Sequence, residues 1–342
     1  MKRYKTLLFA AVVFVAMVAM GTVLFVGHAD DTTHKPDKVL TDYTTLPAEH
    51  VAVLAAEYEK QYRVKINFEI FSEEKLFERL LQEKAKPKSD LVLADRLVLE
   101  KAAKQELFAE YVSEATDMIA EDFRDSDNAW IGVWFDPVVF CINSDYLHTL
   151  EHYPMTWQEL KNYPDMKLGL TDFLAADASA NLLCYLVSNM GEEQAFSLLA
   201  NLHPRIVQYA KYLSTPVRMA GMGEVNLAVA VQSETLRYIN EGYPLKIIYP
   251  SDGTAYTLTG IALSAEAAGN KTARAFADWL LGDEAQLALK KNKFFFVSTN
   301  PDSMACKTFG GKNLVLFEKS QGFGAKERHA LLDKWVKNIR LK

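Results

Sequence analysis

Hydroxyl and carboxyl side chains stand directly after several apolar segments of this chain. Ser233 and Glu234, for example, follow Leu227–Val231, a run with the length of a buried strand. The residues found in such positions are Thr44, Thr45, Asp95, Ser233 and Glu234. Hydroxyls at helix starts, together with a carboxylate that faces an amine, suit a small organic solute. The same residue types also favour turns and helix caps, so the pattern leaves both roles open.

Residues 223–260 predict the elements that position Ser233 and Glu234. The strand over Leu227–Val231 leads into a helix, and residues 245–249 form a second apolar run. This run breaks at YPSDG, after which residues 256–263 predict a strand that heads elsewhere. Such a break is typical of a crossing between two domains.

The first part of the chain predicts an open α/β sheet. Residues 39–70 have the pattern of a β-α-β unit, and residues 89–94 predict another strand. Thr44 and Thr45 follow the first of these strands, and Asp95 follows the last. Because ligands of open α/β sheets bind outside the carboxyl ends of the strands, these side chains are expected along one edge.

A second crossing is predicted within WIGVWFDPVVFCIN, residues 130–143, where Asp136 and Pro137 interrupt an apolar run. We expect Asp136 and Pro137 to form one hinge, and Pro250 and Gly253 the other. Hinge closure of the two lobes would then enclose a ligand. The predicted boundaries are residues 39–135 and 254–342 for lobe 1, and residues 136–253 for lobe 2.

Composition excludes several classes of protein. A chain of 342 residues with 49% hydrophobic and 24% charged residues suits two globular domains. A formal net charge of -6 gives no support to a nucleic-acid surface. The chain has no GxSxG, Gly-rich phosphate loop or HExxH motif, so we predict no catalysis, no cofactor and no resident metal. Cys141 and Cys184 have core-like contexts, although a bridge between them stays open.

The N-terminus carries an export signal over residues 1–29, with basic residues before an apolar segment at 6–26. Cleavage before Asp30 would free the protein, but the apolar segment is also about long enough to remain as a membrane anchor. Residues 30–38 then form a polar spacer. Either way, the rest of the chain is expected in the periplasm or at the cell surface.

Three segments, GEVNLAVAV, YPSDGTAYTLTGIALS and NKTARAFADWLLGDEAQ, resemble the extracytoplasmic solute-binding proteins of ABC importers. The group in question binds ferric iron, phosphonates, phosphorylated sugars or thiamine, and the resemblance covers residues 39–300. It implies a two-lobed α/β fold of the type II periplasmic-binding-protein class with two hinge crossings. It also implies a monomer that delivers its ligand to permease subunits in the membrane.

The resemblance adds three candidate ligand contacts, Ser179, Ser214 and Thr215, and bears on which ligand Ser233 and Glu234 could bind. Ser179 stands where the family often has a serine-glycine turn, and Ser214-Thr215-Pro216 resembles its serine-proline turn. Iron-binding members have two adjacent tyrosines where Ser233 and Glu234 stand, and serine is a poor ligand for ferric iron. A phosphonate, a phosphorylated compound or an amine-bearing compound is therefore favoured.

Two alternatives stay open. The first is ferric iron, or an iron complex, held through Glu234 and Asp95. The second is an anchored receptor that presents its ligand to a membrane sensor kinase, which the long apolar segment at residues 6–26 would serve.

Overall fold

The computed structural model describes residues 38–311, 313–317 and 324–342, and the chain from Lys38 onward forms one compact unit. The predicted export segment, residues 1–29, and residues 30–37 of the spacer lie outside the described residues. Within the described ranges, no helix has the length and apolar character needed to cross a bilayer.

The strands of the described residues are β1 Lys38–Thr44, β2 Val64–Ile70, β3 Leu91–Asp95, β4 Phe108–Ala109, β5 Ile131–Asn143, β6 Leu168–Thr171, β7 Ile206–Ala210, β8 Leu227–Val231, β9 Leu245–Ile248, β10 Tyr256–Ser264 and β11 Val297–Ser298. The first helices are α1 Ala48–Tyr62, α2 Glu73–Gln82, α3 Arg96–Ala103, α4 Glu114–Asp117, α5 Ser144–Leu147, α6 Asp177–Met190 and α7 Glu192–Leu202. They are followed by α8 Ser214–Gly221, α9 Gln232–Asn240, α10 Lys271–Leu280, α11 Asp283–Lys291, α12 Met304–Phe309 and α13 Ala325–Trp335. Shorter turns of helix lie at Glu121–Phe123, Gln158–Asn162, His203–Arg205, Ala265–Ala267 and Val336–Arg340.

Strand β5 belongs to two sheets. Its first part pairs with β10 in sheet A, which has the strand order β2-β1-β3-β10-β5. Its second part, from Val138 to Ile142, pairs with β8 in sheet B, which has the order β5-β8-β6-β7. The change of partner falls between Pro137 and Val138. The chain returns from sheet B to sheet A between β9, which pairs with β5, and β10.

The central strands of both sheets are mostly apolar because helices cover both faces. In β3, Leu91 and Leu93 pack in the cluster that contains α1 and α10, whereas Val92 and Ala94 pack in the cluster of α2 and α3. Strand β8 is likewise buried along its whole length. Parallel strands joined by helices read as continuous hydrophobic runs for this reason.

The C-terminal helix α13 packs on the sheet B side of the molecule. Trp335 is fully buried, with its ring 4.8 Å from that of Phe173 and 5.6 Å from that of Tyr209. The sequence-based boundaries had placed residues 325–342 with lobe 1. Burial of the Trp335 ring against Phe173 and Tyr209 instead holds the tail on the sheet B half of the molecule.

Candidate functional site

A cleft of about 550 Å³ lies where helices of both halves begin. Among the described helices, six have an N-cap residue that lines it. The N-caps on the sheet A side are Pro47 of α1, Ser72 of α2 and Asp95 of α3, and those on the sheet B side are Ala176 of α6, Leu213 of α8 and Val231 of α9. Since a helix start carries a partial positive charge and unpaired N–H groups, each start favours negative charge close to its own N–H groups.

Three of these helix starts are already satisfied by side chains. Ser72 accepts a hydrogen bond from the Lys75 N–H, and Asp95 accepts one from the Leu97 N–H at 2.8 Å. In the first turn of α9, the Ser233 N–H donates to the Asp136 carboxylate. No side chain caps α1, α6 or α8 within the described residues, so these three starts offer the N–H groups that a ligand could use.

Thr45, Asp95 and Glu73 bring polar groups to the sheet A wall of the cleft. The Asp95 N–H donates to the Thr45 hydroxyl at 3.3 Å. Burial raises the pKa of Asp95 to about 6, against the effects of the Leu97 N–H and Arg96. Burial also raises the pKa of Glu73 to about 7, and the charges of Asp95 and Asp177 add to this rise.

Ser233 and Asp136 form the polar centre of the opposite wall. The Asp136 carboxylate accepts from the Ser233 N–H at 2.9 Å and from its hydroxyl at 2.5 Å. Burial raises the pKa of Asp136 to about 7 although these hydrogen bonds oppose the rise. Glu234 lines the same wall and is ion-paired with Arg237.

Aromatic rings form a further side of the cleft. Phe296 stacks on Trp134 with ring centroids 5.8 Å apart and planes at 15°. His50 meets Phe294 edge to face at 4.3 Å, and Phe71 also lines the cleft. This surface suits the flat face of a ring, since aromatic side chains stack on such faces.

The structure brings Thr45, Asp95, Ser233 and Glu234 together in this cleft, as well as the predicted hinge residue Asp136. The other predicted contacts have different surroundings. The Thr44 hydroxyl is buried, donates to the Leu93 carbonyl and accepts from the Leu46 N–H. The Ser179 hydroxyl is directed to the Asp172 and Ala176 carbonyls. Ser214 and Thr215 begin α8 next to Leu213, which lines the cleft.

The remaining predicted hinge residues lie at the two crossings. Pro137 is opposite Tyr256 in the pairing of β5 with β10. Pro250 and Gly253 bound the turn between β9 and β10, where the Gly253 N–H donates to the Pro250 carbonyl. Gly253 has φ +95°, and an added Cβ would lie 2.7 Å from the Phe317 ring. Only glycine fits this turn without strain.

Several residues of the cleft were absent from the sequence-based set. Glu73, Trp134, Arg237 and Phe296 all line it. Glu73 had a usable signal, because it follows a helix-capping serine at a strand end. Trp134 lies in the apolar run of the crossing, and no local pattern marked Arg237 or Phe296.

The described residues contain neither a cluster of metal-ligating side chains nor a disulfide. No group of three or more His, Cys, Asp or Glu side chains in these ranges is placed to hold a metal ion. Cys141, Cys184 and Cys306 are free thiols.

The sequence matches the model of the family described as bacterial extracellular solute-binding protein over residues 86–306. An uncharacterised protein of Haemophilus influenzae is 30% identical over 298 residues, which is 82% of this chain and 85% of that protein.

Solved structures of periplasmic binding proteins have the same fold. AfuA from Actinobacillus pleuropneumoniae, with fructose-6-phosphate bound, has a TM-score of 0.68 and 24% identity, covering 90% of this chain and all of that one. Iron-bound HitA from Pseudomonas aeruginosa has a TM-score of 0.65 and 15% identity, covering 88% of this chain and 98% of its own. A putative extracellular solute-binding protein from Bordetella parapertussis has a TM-score of 0.73 and 17% identity, covering 89% and 99%.

Proposed function

This chain belongs to the family of bacterial extracellular solute-binding proteins, the solute-binding components of ABC transporters, and we propose that its ligand is a phosphorylated or phosphonylated organic solute. The solute also carries hydroxyl or amine groups. Closure of the two halves about β5 and the β9–β10 turn encloses it, and the loaded protein delivers it to permease subunits in the membrane.

The observation that carries the proposal is the convergence of six helix N-termini on one cleft, three of them without a side-chain cap in the described residues. Free N–H groups and the helix dipole together make an anion site. The similarity to AfuA, whose structure contains fructose-6-phosphate, supports the same chemistry.

Hydroxyl and amine groups of the solute have partners in the carboxylates of the cleft. Asp136 and Glu234 lie beside Ser233 on one wall, and Glu73 and Asp95 lie on the other. A carboxylate that accepts from a hydroxyl or pairs with an ammonium group gives a strong, charge-assisted hydrogen bond. The stacked rings of Trp134 and Phe296 would hold the apolar face of the same solute.

The site has the features of a binder and we propose that the chain catalyses no reaction. We further propose that residues 1–29 direct export, that the protein acts outside the cytoplasm, and that it works as a monomer. The alternative, an anchored receptor that feeds a sensor kinase, requires that the mature protein retain residues 1–29, and loss of these residues would contradict it.

The test is a thermal-shift screen of the purified protein against sugar phosphates, aminoalkyl phosphonates, thiamine, polyamines and ferric citrate. A ligand at about one hundred times its dissociation constant adds roughly 2.7 kcal/mol to the stability of the folded state. We expect a shift with a phosphorus compound, a quench of tryptophan fluorescence in the same titration, and recovery of the compound unchanged. A shift with ferric citrate alone would contradict the proposal and favour iron.

A further inference from the structure

Arg328, on the C-terminal helix α13, is ion-paired with a residue that lines the cleft. Its guanidinium lies 2.5 Å from the carboxylate of Asp177, the first residue of α6. Asp177 itself lines the cleft. The arginine side chain is only 16% exposed, whereas that of Asp177 is 62% exposed. The cation is thus held by its surroundings, and its carboxylate partner is free to move.

Arg328 also borders the opposite half of the molecule. It lines a small cavity together with Asp95 and Leu97 of the sheet A half, and with Tyr185 and Tyr256. Its charge acts on Asp95 and Glu73, which both belong to the wall facing Asp177. A solute bound between the halves would therefore lie within reach of this cation.

The tail does not need the Asp177 contact in order to dock. Trp335 is buried between Phe173 and Tyr209. Arg340 Nε lies 3.0 Å from Asp172, and Lys334 is ion-paired with Glu192. These contacts place α13, so the pairing of Arg328 with a cleft residue calls for a separate explanation.

We propose that Arg328 is a solute-binding residue, and that Asp177 occupies the position which the anionic group of the solute takes when it binds. This rests on the proposed function, because it requires a solute with a phosphoryl or phosphonyl group. The uncapped start of α6 supplies N–H groups at the same place. Arginine presents a rigid fork of donors that matches a carboxylate and a phosphate equally well, so one can replace the other.

The exchange explains how an acidic residue can stand at an anion site. While the cleft is empty, Asp177 neutralises Arg328 and the start of α6. When the solute enters, its phosphoryl group takes over both contacts and the exposed Asp177 side chain turns to solvent. The solute is then selected against uncharged analogues, because an uncharged group cannot displace the carboxylate.

The experiment compares purified Arg328→Gln, Asp177→Asn and wild-type protein by calorimetric titration with fructose 6-phosphate, 2-aminoethylphosphonate and inorganic phosphate. Arg340→Gln serves as the matched control, since it also removes an arginine–aspartate pair from the tail but one away from the cleft. Arg328→Lys tests whether charge alone is enough. Unphosphorylated fructose tests whether the phosphoryl group is what Arg328 contacts.

We expect Arg328→Gln to weaken binding of the phosphorus compound by about tenfold or more, the value of a charge-assisted hydrogen bond. The affinity of Arg340→Gln should stay within about twofold of wild type, because Arg340 does not line the cleft. Asp177→Asn should tighten binding severalfold because it removes the competitor. Opposite signs for the two cleft variants distinguish displacement from a merely structural role, in which both would weaken binding.

Equal effects of Arg328→Gln and Arg340→Gln, in a wild type that binds a phosphorus compound, would overturn the inference and leave the proposed function standing. If wild type binds none of the phosphorus compounds, the proposed function fails and the inference falls with it. If Arg328→Gln does not fold, Asp177→Asn decides: tighter binding supports the exchange, and unchanged or weaker binding refutes it.

Discussion

The wild-type protein is expected to lose stability between pH 5 and pH 8, and replacing Asp136 with asparagine is expected to abolish a large part of this loss. Asp136 is only 7% exposed and lies on β5, where the strand passes from sheet A to sheet B. Burial raises its pKa from 3.8 to about 7, and Ser233 only partly opposes this. In the unfolded chain the carboxyl group ionises freely, whereas in the folded protein it retains its proton to near neutral pH.

The sign and size follow from proton linkage. The folded state binds the proton more tightly, so this group's contribution to stability is complete below about pH 4 and is lost as the pH rises through about 7. One pKa unit corresponds to about 1.4 kcal/mol, and integration from pH 5 to pH 8 gives a loss of about 2 to 3 kcal/mol. Asparagine has nearly the same shape, accepts from the Ser233 N–H and does not ionise.

Urea unfolding at pH 5 and at pH 8 measures the effect. Relative to wild type, Asp136→Asn should become more stable by about 2 to 3 kcal/mol on going from the lower to the higher pH. Asp302→Asn is the control, because Asp302 is 70% exposed and should change little. The reasoning is refuted if the difference between Asp136→Asn and wild type is the same at both pH values.

Three further substitutions test other parts of the structure. Arg96→Gln should lower stability by about 2 to 4 kcal/mol in thermal unfolding, because the buried guanidinium donates to Tyr256 of β10 and to Tyr185 of α6. An unchanged melting temperature would contradict this. In calorimetric titrations, Ser179→Ala should leave solute affinity within about twofold, whereas Ser233→Ala should weaken it by about tenfold. An equally large loss in Ser179→Ala would place Ser179 at the ligand, and no loss in Ser233→Ala would contradict a contact there. Gly253→Ala should cost about 1 to 3 kcal/mol, since φ +95° and the Phe317 ring both oppose a side chain; a change below about 0.5 kcal/mol in urea unfolding would show that the turn adapts.

The predicted two-lobed α/β fold of the type II periplasmic-binding-protein class is confirmed. Its sequence signals were strong because β8 and residues 91–94 of β3 are buried on both faces and so are apolar at every position. The breaks at Asp136 and at Pro250 were visible for the opposite reason, since each interrupts an apolar run where the chain changes sheets. Residues 271–291 form two helices, because Gly282 divides α10 from α11.

The candidate site was less accessible to sequence reasoning. A serine or threonine at a strand end can satisfy the local backbone or face a ligand, and the sequence does not distinguish these roles. The Ser179 hydroxyl donates to backbone carbonyls, whereas the Ser233 hydroxyl donates to a carboxylate of the cleft. Arg328 is separated from Asp177 by 151 positions in the chain. No local pattern could bring them together, since their contact depends on where Trp335 docks the tail.

Several carboxylates around the cleft are stabilised by the positive ends of helix dipoles, and the same effect would stabilise an anionic ligand. Glu49, Glu73, Asp177 and Glu234 each lie in the first turn of a helix that starts at the cleft. Negative charge is stabilised at such positions whether it comes from the chain or from a solute. A carboxylate there is therefore a sign of the anion-favouring field and does not argue against an anionic ligand. What decides between a carboxylate and a solute at such a position is whether the carboxylate can leave. Asp177 is exposed and its cation is largely buried, so the start of α6 can exchange the carboxylate for a phosphoryl group, which adds at most about one negative charge.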